Sequence, residues 1–106
     1  MKFMFLVNEE TDAQGRFVGF SGYKPGHKLR VAYIGTLLPD DLDSVSACDE
    51  LFRIFNADRP ADYRGRSMSV GDVVVLRFDE APRTMAYACS SDGFELVDPP
   101  IHAEVR

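Results

Sequence analysis

Asp72-Val73-Val74-Val75-Leu76-Arg77-Phe78 decides the fold: its β-branched apolar run makes it the clearest strand in the chain. Asp79-Glu80-Ala81-Pro82 carries turn chemistry, and Thr84-Met85-Ala86-Tyr87-Ala88-Cys89 returns as the antiparallel partner. A second turn from Ser90 to Gly93 leads to a short last strand, Phe94-Glu95-Leu96-Val97. Asp98-Pro99-Pro100 then closes the ordered part, so residues 1–98 are expected to form a single domain and 99–106 a flexible tail.

Upstream, residues 2–7 are apolar on both faces and rich in aromatics, which predicts a central strand. Thr11-Asp12-Ala13-Gln14-Gly15 is turn material, and Arg16-Phe17-Val18-Gly19-Phe20 is a candidate hairpin return. Leu29 to Gly35 alternates like a strand. A helix is predicted from about Asp41 to Phe55, introduced by Pro39 and Asp40, with Val45, Cys48, Leu51, Phe52 and Phe55 forming one apolar stripe. Asn56 is its expected C-cap, and Pro60 stops it from continuing. The sum is an α+β fold: a small, curved, mostly antiparallel sheet with one main helix packed on a face.

At 106 residues the chain can bury a core without disulfides or metals. The apolar start breaks at Asn8-Glu9-Glu10, too short for a secretory core, and no other run is long enough to span a membrane. The expected location is cytoplasmic, and no membrane partner is expected. Cys48 and Cys89 fit that compartment as buried free thiols. Together with His27 and His102 they show no metal-ligand spacing, so no metal or other cofactor is expected. Gly22-Tyr23-Lys24-Pro25-Gly26-His27-Lys28 superficially suggests a phosphate loop. Its glycine spacing is wrong, no Ser or Thr follows Lys28, and a strand comes next.

The net charge of −5 argues against general binding to polyanions, yet the charge is uneven. Lys24, Lys28 and Arg30 cluster, and Arg53, Arg59, Arg64 and Arg66 outnumber Asp58 and Asp62 from the last turn of the predicted helix through the connector that leads to the clearest strand. Such a long, chemically defined connector is a candidate functional surface.

The connector also carries a family pattern. Leu51-Phe52-Arg53-Ile54-Phe55-Asn56, then Arg59-Pro60-Ala61-Asp62-Tyr63, then Gly65-Arg66-Ser67-Met68-Ser69-Val70-Gly71-Asp72-Val73-Val74 resembles the YodL domain family. Gly93-Phe94 fits the end of that pattern, so the resemblance covers roughly residues 48–97, while residues 1–40 show no counterpart. It implies a small bacterial accessory protein, often carried on mobile or phage-related elements, with no activity assigned. Where the family tends to place a histidine between the glycine and the first serine, this chain has Arg66.

Chemistry at the connector is open in three directions. Arg59, Tyr63, Arg64 and Arg66 interleave guanidinium groups with an aromatic ring, and Ser67 and Ser69 add hydrogen-bonding groups. That set suits an acidic protein surface, the expected partner, and it also suits nucleic acid. Catalysis is the least supported. Ser67 and Ser69 lack a base within the motif, and Asp58, Asp62 and Asp72 have arginines or turns to serve, so no catalytic residue is assigned. The competing possibility is that these arginines simply tie the connector down. Oligomeric state is not legible.

Overall fold

The computed structural model describes residues 1–37, 42–78 and 83–100. Its strands are β1 (Lys2–Asn8), β2 (Leu29–Thr36), β3 (Val73–Arg77), β4 (Thr84–Ser90) and β5 (Gly93–Val97). The helix α1 (Ser44–Ala57) lies between β2 and β3 in sequence. The strands form one sheet in the order β2-β1-β3-β4-β5, antiparallel at every pairing. The outer strands β2 and β5 do not meet, so the sheet is open, with α1 packed on one face.

β1 is central because it is apolar on both sides, and six of its seven residues are buried. Phe3, Phe5 and Val7 face α1, where they join Val74 and Leu76 of β3 and Cys48, Leu51 and Phe55 of the helix. Met4 and Leu6 face the other way, among Val73, Val75, Ala86 and Ala88. β2 and β3 flank β1 on either side and both run antiparallel to it. They are therefore parallel to each other, and the α1 connection must cross over β1. This crossover is what makes the connector after α1 long.

α1 begins at Asp43, whose Oδ1 accepts a hydrogen bond from the Ser46 N–H at 2.7 Å, so the carboxylate fills an otherwise orphaned donor. The expected helix start at Pro39, Asp40 and Asp41 lies outside the described residues, as do the turn Asp79–Pro82 and the tail 101–106. At the other end the helix runs past Asn56 to Ala57, and the Asp58 N–H closes on the Ile54 carbonyl at 3.0 Å. Asn56 serves one turn lower, donating from Nδ2 to the Phe52 carbonyl.

Two sequence readings need correction. The apolar stripe of α1 is not wholly buried: Ala47, Cys48, Leu51 and Phe55 dock, whereas Val45 is 70% and Phe52 40% exposed. Both occupy the flank of the helix turned away from β1. The proposed hairpin at residues 16–20 is reduced to one isolated bridge, Thr11 to Phe17, followed by a single 3-10 turn at Gly19–Ser21. Both edges of β1 are already taken by β2 and β3, so this segment cannot return along β1 as its hairpin partner. It folds instead onto the connector, where Gly19 meets Gly71. There a Cβ on Gly71 would fall on the Gly19 carbonyl oxygen, and the φ of +94° also requires glycine.

Candidate functional site

The connector runs from the end of α1 to the start of β3, and aromatic packing sets its position first. Tyr63 is buried, with its ring centroid 5.0 Å from Phe55 and 6.0 Å from both Phe5 and Tyr33. Its hydroxyl donates to the Arg66 carbonyl at 2.6 Å, and burial raises the pKa of the phenol. Gly65 is required beneath it, since a side chain there would collide with the Tyr63 hydroxyl. Tyr33 on β2 adds a second tether by donating to Asp62 Oδ1 at 2.9 Å.

The other anchor is electrostatic. Asp72, whose side chain is fully buried, accepts from the Asn8 N–H and the Ser69 N–H, each at 2.9 Å. Arg66 completes it in bidentate fashion, Nη1 to Oδ2 at 2.7 Å and Nη2 to Oδ1 at 2.6 Å. The same guanidinium donates to the Ser67 carbonyl and to Ser69 Oγ, and the hydrogen bonds to Asp72 raise its pKa above the ordinary arginine value. Arg59 ties the middle of the loop, donating to the Gly65 carbonyl and to Ser67 Oγ at 2.9 Å.

The structure therefore brings Arg59, Arg66, Ser67 and Ser69 into one hydrogen-bonded frame, puts Tyr63 beneath that frame in the core, and leaves Arg64 outside it. Arg64 is exposed and makes no hydrogen bond or ion pair among the described residues. Asp58 is exposed and lies 3.6 Å from Arg53, while Asp62 accepts from Tyr33. No described serine is paired with a free base. Among the described residues no group of three or more His, Cys, Asp or Glu side chains is placed to hold a metal ion. No helix among them is long and apolar enough to cross a membrane.

Sequence reasoning missed Asn8, the last residue of β1. It is 2% exposed, and Nδ2 donates to the Gly71 carbonyl at 3.0 Å while Oδ1 accepts from the Glu10 N–H. Nδ2 also approaches His27 Nδ1 at 3.1 Å, which receives the Lys24 N–H as well. The available signal was a single polar residue ending a strand that is apolar on both faces. Beyond His27 lies a cleft of about 300 Å³ between Tyr23 and Val97, in which burial, and then the charge of Asp98, raises the pKa of the Tyr23 phenol.

No curated protein and no solved structure matches the chain. A family model does: the YodL-like domain matches residues 3–98. The match extends to β1 and β2, well beyond the connector motif, so residues 3–40 do have a counterpart. By this match, which takes in both the frame around Asp72 and the sheet that holds it, the chain belongs to the YodL-like domain family.

Proposed function

We propose that this domain acts by binding a protein partner and carries out no chemistry of its own, with the connector as one recognition surface. One observation carries the reading: Arg64 projects unpaired from a loop whose neighbouring polar side chains are all engaged. A loop held by a buried aromatic and a bidentate ion pair loses little freedom on binding, so a guanidinium displayed on it is preorganised. Arginine suits carboxylate-rich protein surfaces, and a net charge of −5 weighs against nucleic acid as the usual ligand. The setting we propose is the bacterial cytoplasm, in an accessory role on a mobile or phage-related element, as the family resemblance implies.

The test is affinity capture from host lysate, with and without nuclease, comparing the natural chain with Arg64→Glu. The reading expects a nuclease-resistant protein that the variant loses while its melting temperature stays unchanged. Nuclease-sensitive capture would make this a nucleic-acid module. Equal capture by the variant would remove Arg64 from any binding role.

A further inference from the structure

Among the described residues the sheet has two unpaired edges, β2 and β5, and they are built differently. β2 has a register break opposite Phe5 and Leu6 where it pairs with β1, follows Lys28, and carries Arg30 in an ion pair with Glu9. Bulges and cations of this kind keep foreign strands off an edge. β5 pairs with β4 in unbroken register from Ser90–Gly93 to Ala86–Val97. It contains no proline, lysine or arginine, and its only charge is Glu95, with Asp92 and Asp98 just outside it.

An apolar strip lies beside that edge. Side chains alternate along a strand, so Phe94 and Leu96 share the α1 side, where Phe94 and Tyr87 pack on the core, while Glu95, opposite Ala88, faces the other way. Leu96 is 63% exposed. The Phe52 ring of α1 meets Phe94 of β5 edge-on with centroids 6.5 Å apart, and Val45, two turns earlier, shares its helix face by spacing. Asp49 is exposed on that flank between them. Thus α1 covers the β1–β3 half of this face and leaves an apolar step over β5, rimmed by acids.

We infer that β5 is the docking edge for an extended segment of a partner protein in which apolar and basic side chains alternate, added as a sixth strand. Backbone pairing along the edge holds such a segment. Its apolar residues lie toward Leu96 and Phe52, and its basic residues lie toward Glu95, with Asp92 and Asp98 at the two ends. A second copy of this chain fits poorly, because β5 against β5 would set acids against acids with no cation on either strand.

The test uses two short capped peptides, one alternating valine and lysine and one alternating valine and glutamate, titrated into the isotope-labelled full chain and followed by NMR. The valine–lysine peptide is expected to shift the amides of Gly93–Val97 and slow their hydrogen exchange, and the valine–glutamate peptide to do neither. Leu96→Ser is expected to weaken binding about tenfold, the scale of one lost large apolar contact. Glu95→Lys is expected to reverse the preference between the peptides. Both residues are exposed, so both variants should keep the natural circular dichroism spectrum and melting temperature. Equal response to the two peptides, or shifts confined to the connector, would overturn the inference. A dimer in sedimentation experiments, with β5 amides protected in the absence of peptide, would overturn it in favour of a second copy. Arg64→Glu lies outside this surface and should leave the titration unchanged, so the two proposals fail separately.

Discussion

Removing Arg66 from Asp72 tests whether the connector is braced by that pair. Breaking a fully buried ion pair by deleting one partner costs about 3–5 kcal/mol, since the remaining charge is stranded. Here the Asp72 side chain is wholly buried but that of Arg66 is 40% exposed, so water can enter the vacated site. The two N–H bonds from Asn8 and Ser69 also remain on the carboxylate. Arg66→Ala is therefore expected to cost about 2–3 kcal/mol. At about 4–8 °C per kcal/mol for a domain of this size, that is a fall of roughly 10–20 °C in melting temperature. Asp72→Ala removes the acceptor from two backbone N–H groups and is expected to cost somewhat more, about 3–4 kcal/mol. Urea denaturation of the natural chain, both single variants and the double variant gives the coupling, which should be at least about 1.5 kcal/mol. Arg66→Lys should recover less than half of the loss, because an ammonium cannot reproduce the two-pronged contact. A loss below about 0.5 kcal/mol for Arg66→Ala, or a coupling near zero, would refute the brace.

Gly71→Ala should destabilise by at least about 3 kcal/mol in urea denaturation, because its Cβ would meet the Gly19 backbone, whereas Gly26→Ala, with positive φ but open space, should cost only about 1–2 kcal/mol. Burial, then Asp49 and Cys89, pushes the Cys48 thiol up to about 12, and burial, then Asp72, pushes Cys89 up to about 11. At about pH 8 the thiolate fraction is then on the order of one in a thousand or less, and neither thiol should react with an aromatic disulfide reagent until denaturant is added; a fast burst from either would contradict the buried placement. Hydrogen bonding from Ser46 lowers the Asp43 pKa below its ordinary 3.8, so the stabilisation from the ionised cap is complete above that value and is lost as pH falls through the lower folded one. Asp43→Asn retains a capping acceptor, and its melting temperature should fall less than the natural chain's between about pH 5 and about pH 2; parallel curves would remove the cap from acid sensitivity.

Local pattern was a good guide where one residue's neighbours in sequence decide its state. The valine run at 73–75, the alternation in β2 and the doubly apolar 2–7 segment each name a strand, because strand side chains report directly on which faces are covered. The limits of α1 were legible to within a turn, but its burial was not. Val45 and Phe52 satisfy helical spacing, and only the position of the sheet beneath shows that α1 is offset from β5. The candidate hairpin failed for a similar reason, since residues 16–20 do not show that both edges of β1 are occupied. At the site, the residue types were legible and their pairings were not. Asp72 read as a turn former, whereas its partners include Asn8, 64 residues away in sequence. No spacing rule reaches that far.

The same geometry explains how one loop can be both structural and exposed. A crossover over β1 must bring the chain back to start β3 beside the end of β1, so the connector ends where β1 runs past its last partner on β3, Leu6 opposite Val73, while Asn8 still pairs with Leu29 of β2. Asp72 takes the Asn8 N–H, the Asn8 side chain takes the Gly71 carbonyl, and Arg66 closes the carboxylate from the solvent side. A histidine at position 66 would have two ring nitrogens and could not make the five contacts that Arg66 makes through Nη1 and Nη2. Arginine at this position therefore braces the loop more firmly, with its guanidinium directed inward. That leaves Arg64, two residues earlier and exposed, as the connector guanidinium without a hydrogen bond or ion pair among the described residues. On the reading proposed above, a binding role and a structural role fall to different arginines of the same motif, and variants at 64 and 66 should separate affinity from stability.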